Sequence, residues 1–467
     1  MRNSQPHALI LSTLAASLLL AGCATPDVLP PSTVPLQAAS LGVQDGSQLA
    51  RDNWWQALND PQLDQLVSQA LARSPRLTLA DAKLRAARAN SDSVASSDGL
   101  RVNGSASFVR ERSSEYGNNP PAYRGIYTNL ETVGLDLSYR FDFWGKTRAQ
   151  LAATRGQAYA AQLEADDARQ WLAWAVSSQY LEWRTAQHAL QLQAEDQQQA
   201  TQLLQLGEVR SKQGLAAPDE LAQLQAAAND ARQLVLRAGL RETQARHALA
   251  ALAALPQTQI DAIAKAALPE WQLDPARYST AMLGKRADIL AARERVEAAS
   301  AGIRAARADF YPDVRIGGLA ALSSSELSNL LDPGARLLRF APALTLPIFS
   351  NGELNARLSG RTADYEQAVA AYNQTLLAAI QETADRSSQL ASLTQAEAQA
   401  DATLRARRDA SRVLQTRLET GLASRSQWLN ERRRDTQARL SALEIRGQRL
   451  QVQAALLRAL GSPQAGN

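Results

Sequence analysis

Four stretches of this chain alternate apolar and polar residues with a period of two. Val102, Gly104, Ala106 and Phe108 alternate with Arg101, Asn103, Ser105 and Ser107. Val133, Leu135, Leu137, Tyr139, Phe141 and Phe143 alternate with Thr132, Gly134, Asp136, Ser138, Arg140 and Asp142. Val314, Ile316, Gly318, Ala320 and Leu322 form a third apolar face. The fourth, Leu338, Phe340, Pro342, Leu344, Leu346 and Ile348, alternates with Arg339, Ala341, Ala343, Thr345 and Pro347. This pattern predicts half-buried strands over about 101–112, 131–143, 313–323 and 337–349. Each has roughly the ten residues that a tilted strand needs to cross hydrocarbon. A soluble sandwich with one buried face would show the same alternation.

After the turn signal Asn351-Gly352 the period changes. From Glu353 to Thr420 there is no proline, and Gly360 is the only glycine. Leu354, Leu358, Tyr365, Val369, Tyr372, Leu376 and Ile380 recur at about 3.7 residues per turn, which predicts a helix. At 1.5 Å per residue it would be ~100 Å long. Gly421 stops it as a C′ glycine would.

The pattern is written twice. Ser74-Pro75-Arg76-Leu77 corresponds to Arg286-Ala287-Asp288-Ile289, and Phe141–Lys146 to Ile348–Glu353. Arg210-Ser211-Lys212-Gln213-Gly214-Leu215-Ala216 corresponds to Arg417-Leu418-Glu419-Thr420-Gly421-Leu422-Ala423. Gly145 to Gly352 is the same offset as Gly214 to Gly421, so the long helix has one length in both copies. A repeat of roughly 200 residues is not a solenoid unit. We divide the chain into a first repeat, 51–255, with a hairpin tip near Gly214, and a second, 286–461, with a tip near Gly421. A proline-containing linker, 256–285, is expected outside the helical wall, and 462–467 form a tail. Ser113–Asn129 and Ser323–Arg336 are expected as extracellular loops.

Residues 1–22 read as a targeting segment, with Arg2 ahead of the apolar run Ala8–Leu20. Leu20-Ala21-Gly22-Cys23 is a lipobox, so Cys23, the chain's one cysteine, is the expected lipidation site. Acyl chains strengthen anchoring by roughly 0.8 kcal/mol per buried methylene. Ala24 favours sorting to the outer membrane. Residues 23–50 are expected as a lipidated, extended tether. No later stretch has the ~20 apolar residues of a transmembrane helix, so any span must be built of strands.

Charge narrows the function classes. Lys and Arg number 50 against 46 Asp and Glu, and no basic block is interleaved with aromatics, which argues against nucleic acid. His188 and His247 lie far apart on helical stretches, and Asp166-Asp167 reads as a solvated helix face. There is no phosphate loop and no nucleophile elbow. We expect no catalytic residues, no metal site and no cofactor.

Four strands cannot close a barrel, and open edges are not tolerated in lipid. The chain must therefore oligomerise; a dimer would supply eight strands and a trimer twelve. Aromatics near the strand ends, Tyr139, Phe141, Phe143, Trp144, Phe310, Tyr311 and Phe349, fit an interfacial girdle or a core.

Together these residues resemble the outer-membrane efflux proteins, TolC-like outer membrane factors, in their lipoprotein branch. The resemblance is carried by Cys23, Trp54-Trp55, Leu58–Leu63, Asp142–Lys146, Lys285–Ile289, Ala305–Pro312 and Leu346–Phe349. It covers almost the whole mature chain. It implies a mixed α and β membrane protein: a homotrimeric twelve-stranded outer-membrane β-barrel, with four strands per chain, continuous with a twelve-helix periplasmic α-barrel. It implies a passive exit duct for drugs and other small toxic compounds. The partners implied are a periplasmic adaptor, an inner-membrane transporter and outer-membrane lipid. The hairpin tips, here Arg210–Leu221 and Arg417–Trp428, would close the tunnel and dock the adaptor. The site residues so implied are Gly214, Asp219, Glu220, Arg417, Gly421, Arg425 and Asn430. Asn430 stands where an aspartate is usual, and Ala287 replaces a usual proline. We expect Arg417 or Arg425 to hold the gate against Asp219 or Glu220 across hairpins. Two alternatives remain at this point: a type I protein-secretion duct, or a periplasmic coiled-coil scaffold with no pore.

Overall fold

A computed structural model describes residue 26 and residues 28–44, 53–273, 280–349 and 352–461. The signal segment, Cys23, Asn351 and the tail 462–467 lie outside the described residues. The elements run α1 (Pro61–Arg73), α2 (Pro75–Ala95), β1 (Leu100–Arg112), β2 (Tyr127–Phe141), α3 (Lys146–Lys212), α4 (Pro218–Ala253), α5 (Gln257–Asp261), α6 (Ala287–Ala308), β3 (Asp313–Ser324), β4 (Arg336–Thr345), α7 (Glu353–Glu419) and α8 (Arg425–Ala459). The two long helices, α3 and α7, have 67 residues each, as the duplicated spacing requires. Among the described residues no helix is long and apolar enough to cross a membrane.

The compact units are not the repeats. One takes its described residues from 1–34, 85–159 and 293–371, the other from 35–84, 160–292 and 372–467. Each therefore mixes both repeats. The sheet explains this in the first unit: β1 and β2 come from one repeat, β3 and β4 from the other, in a four-stranded antiparallel order β1-β2-β3-β4.

Three strand ends differ from the sequence reading. β2 begins at Tyr127, not 131, because Tyr127 to Leu130 pair with Val109 to Arg112 of β1, so the loop expected over 113–129 ends before Tyr127. The chain leaves β2 at Asp142, because that carboxylate turns to accept the backbone N–H groups of Thr147 and Arg148, both at 3.0 Å, and so caps α3. β4 stops at Thr345, not 349, because its neighbour begins at Asp313, directly opposite Thr345. Pro342 is tolerated because β4 is an edge strand. Beside the sheet, Ile303, Ala306 and Phe310 of and just after α6 pack on Leu354 and Leu358 of α7, with Val28 and Tyr365 against them. Phe310 is thus a core residue. Phe143, Trp144, Tyr311 and Phe349 remain exposed, and Trp144 stacks on Tyr311 at 4.7 Å.

The described part of the tether is held, not free. Ser32 donates through N and Oγ to Glu366 Oε1 of α7, each at 2.7 Å. In the other unit, Leu36 N donates to Asn373 Oδ1 at 2.8 Å, and Val43 is buried.

In the second unit the core gathers Trp54 and Leu58, α1 through Leu63 and Val67, α3 through Leu172, Val176, Tyr180 and Trp183, and Leu249, Leu450 and Leu457. The linker joins this core, with Trp271 stacked on Trp54 at 6.3 Å. Asp60 caps α1, accepting from the N–H groups of Gln62 and Leu63, and also takes the Tyr180 hydroxyl at 2.6 Å. Burial, reinforced by that bond, raises the Tyr180 pKa. Arg184 is fully buried. Its guanidinium lies 4.8 Å from both the Tyr180 and Trp183 rings and donates to Gln62 and Gln187. A charge can sit there because flat aromatic faces and amide oxygens replace water.

A second polar knot starts α6. Arg286, buried, grips Asp288 through Nε at 3.0 Å and Nη2 at 2.8 Å. Its Nη1 reaches Glu382 Oε2 of α7 at 3.0 Å and the Ala459 carbonyl of α8 at 2.8 Å. Burial opposes the charge of Asp288, but the Arg286 bonds outweigh it and hold this carboxyl below its ordinary range. Asp167 lines the same cleft, so it does not belong to a solvated helix face. Burial, then the charge of Asp288, raises its pKa.

Two outcomes follow for thermal melting in detergent. Arg286→Ala strands Asp288, leaves Glu382 with Arg458 alone, and costs about 3 kcal/mol, the lower end for breaking a buried pair. Asp167→Asn acts in the other direction. A raised folded-state pKa means that Asp167 favours folding when protonated, below the ordinary value of 3.8, and that this is lost as pH rises through the folded value. The variant therefore melts higher than the parent at pH 7, and the gain disappears in acid.

Candidate functional site

The sheet register sorts the alternation into two faces. Directly opposed residues share a face. Leu100 lies opposite Tyr139, Tyr139 opposite Ile316, and Ile316 opposite Pro342. The next rows are Val102, Leu137, Gly318 and Phe340, then Gly104, Leu135, Ala320 and Leu338. All four apolar faces coincide. This face is open: Leu338 is 81% and Phe340 72% exposed. So large an apolar surface is not the outside of a soluble protein. It is the lipid side of a membrane strand set, and a soluble sandwich with this face buried is not what forms.

The opposite face is polar along most rows. Asn103, Asp136, Leu319 and Arg339 share one row, and Arg101, Ser138, Gly317 and Ala341 the next. Ser105 Oγ donates to Asp136 Oδ2 at 2.9 Å, and Thr132 and Ser323 hydroxyls meet at 3.2 Å. The outer edges of β1 and β4 carry no partner strand among the described residues.

The two hairpin tips are built alike. Gly214 and Gly421 have φ of +72° and +75°. The positive φ, not lack of space, requires glycine, since a Cβ at either would meet nothing within 4 Å. Leu215 N donates to the Arg210 carbonyl at 2.8 Å, and Leu422 N to that of Arg417 at 2.7 Å. The restart differs. Pro218 occupies the first turn of α4 without a side-chain cap, whereas Ser424 and Gln427 form a capping box on α8.

The charges at the tips are not assembled as one gate within the chain. Glu220 pairs with Arg210 at 2.7 Å inside the first hairpin. Asp219, Arg417 and Arg425 are exposed, and among the described residues they make no ion pair. Asn430 is exposed and returns its amide to the Ser426 carbonyl at 3.0 Å. Further along, Arg433 of α8 grips buried Asp196 of α3 in a two-pronged pair at 2.9 and 3.0 Å, and Arg439 reaches Glu195 at 2.7 Å. These pairs join the hairpins of the two repeats. Sequence reasoning missed them, because their partners are more than 200 positions apart and each carboxylate reads as helix surface. His188 donates through Nε2 to the Ala266 carbonyl at 2.9 Å and so fastens the linker to α3. His247 is exposed.

Comparison with known proteins agrees with this geometry. The family model described as outer membrane efflux protein matches residues 66–255 and 279–462, one segment for each repeat. The multidrug resistance outer membrane protein MdtQ of Escherichia coli O157:H7 is 31% identical over 95% of this chain and 96% of its own. The multidrug resistance outer membrane protein MdtP of Escherichia coli K12 is 30% identical over 99% of this chain and 98% of its own. Among solved structures, the outer membrane protein VceC of Vibrio cholerae superposes with a TM-score of 0.79 at 27% identity, covering 88% of this chain and 99% of its own. The outer-membrane channel OprN gives 0.80 at 25% identity, covering 95% of this chain and all of its own. With both matched segments spanning the two repeats, the chain belongs to the outer membrane efflux protein family.

Proposed function

We propose that three copies of this chain close one barrel in the outer membrane and serve as the passive exit duct of a tripartite pump for drugs and other small toxic compounds. The observation that carries this reading is the register: four membrane-length strands that share one apolar face from the Tyr139 row through the Leu135 row, bounded at the loop end by Arg336 and Glu131, and two open edges. Such edges must be paired in lipid, and twelve strands leave a water-filled lumen where eight do not. The names borne by relatives, multidrug resistance outer membrane proteins, favour small-molecule cargo over a secreted protein. The helical hairpins reach into the periplasm, and their tips, from Arg210 to Leu221 and from Arg417 to Trp428, meet a periplasmic adaptor that links the duct to an inner-membrane transporter. Cys23 carries the lipid anchor.

The tips also hold the resting gate. Glu220 is already engaged by Arg210, so the acid left to bridge hairpins is Asp219, with Arg417 and Arg425 as its exposed counterparts. Exposed pairs are worth only ~0–1 kcal/mol each, which suits a closure that a docking partner must undo.

Three measurements test these readings. Deleting the gene should raise intracellular drug accumulation, and the detergent-extracted protein should have the mass of three chains. Unchanged accumulation together with loss of a secreted protein would replace the efflux reading by secretion. For the gate, the Arg417→Ala, Arg425→Ala double variant should conduct more than its parent in planar bilayers, and an unchanged conductance sinks the Asp219 pairing.

A further inference from the structure

The polar face of the sheet carries an uneven charge. In the half nearest the helices it presents Arg101, Arg140, Arg315 and Arg339, against Asp136 and Asp313. Glu111 shares the face but sits at the far, loop end of β1. Asp142, just past β2, is occupied by the N-terminus of α3 and by Arg148.

The arginines are arranged against local stability. Arg140 lies directly opposite Arg315 on neighbouring strands, where like charges repel at a Cβ separation of about 5 Å. Arg140 has one relief, Asp313, at 3.4 Å, and both side chains of that pair are largely exposed. Arg315 and Arg339 are exposed and make no ion pair among the described residues. Asp136 accepts from Ser105 and is not taken up by an arginine. None of the four arginines can turn outward, since their strand parity is opposite to that of Leu338, Phe340 and the other lipid-side residues. A guanidinium at the bilayer midplane would also cost ~2–4 kcal/mol on that side.

From this we propose that the barrel lumen is an electropositive filter that favours anionic over cationic solutes, with Arg315 and Arg339 as its main determinants. The inference rests on the duct reading above and adds the charge class of what passes. Closure of three copies turns each arginine into a ring, and rings of arginine inside low-dielectric walls concentrate anions. Arg315 and Arg339 dominate because they keep their full charge. Asp313 partly neutralises Arg140, and Arg101 folds back to the Ser97 carbonyl at 3.5 Å.

The test is the reversal potential of the full-length protein in planar bilayers under a potassium chloride gradient. The parent should reverse on the chloride side of zero. The Arg315→Glu, Arg339→Glu double variant should shift towards potassium and change sign, and the Arg315→Gln, Arg339→Gln variant, which adds no new charge to the barrel, should shift partway. Asp136→Asn should move the parent further towards chloride. A parent that prefers potassium, or a double variant with the parent's reversal potential, overturns the filter. An Arg417→Ala, Arg425→Ala variant, with its tips released, that inserts as a trimer and still passes no current overturns the duct reading instead.

Discussion

An unpaired backbone N–H or C=O costs several kcal/mol in hydrocarbon, and a four-stranded sheet leaves a row of each on two edges. Most of what is distinctive about this chain follows from that constraint. The apolar rows decide that the sheet belongs in lipid. The open edges of β1 and β4 decide that one copy is not enough. Closure then makes the other face into an inner surface, and the residues there stop being ordinary strand exteriors and become the lining of a path.

The helical unit meets a different difficulty. Its helices are alanine-rich and polar on much of their surface, so apolar burial alone specifies their partners weakly. Buried ionic and hydrogen-bonded knots supply the specificity. Arg286 ties α6 to α7 and α8, Arg433 and Arg439 tie α8 to α3, and Arg449 reaches Glu397 of α7 and the Trp271 carbonyl of the linker. Breaking such a knot leaves a stranded charge, which sets the register of long helices that could otherwise slide. The motif residues around Trp54, Asp60 and Arg286 therefore read as anchors of the helical unit. The two tips, by contrast, leave Asp219, Arg417 and Arg425 exposed and without an ion pair among the described residues.

Alternation and periodicity made the strands, the equal long helices, the turn glycines and the need for oligomers legible in the sequence, because each depends on neighbours a few positions away. Gly214 and Gly421 are examples: their positive φ follows from where the helix period stops. Pairs such as Arg433 with Asp196 were not legible, nor was the half-buried place of Asp167 in the cleft beside Arg286, because its neighbours in the chain are charged and helical. What fastens the tether was not legible either, because its proline and serine content says nothing about Glu366, which holds Ser32. The end of β4 was misjudged because the alternation continues past Thr345 while the partner strand does not.

The sequence by itself thus determined which residues of each strand share a face, how long the helices run and where they turn. Those are properties of local geometry, with periods of 2 and 3.6 residues. Only the tertiary structure decided the register that aligns four apolar faces into one, that sets Arg140 against Arg315, and that leaves Glu220 with Arg210 instead of a partner across hairpins. Register and charge pairing are long-range choices. They are made by which backbones and side chains can be satisfied together, and no single stretch of chain contains that information.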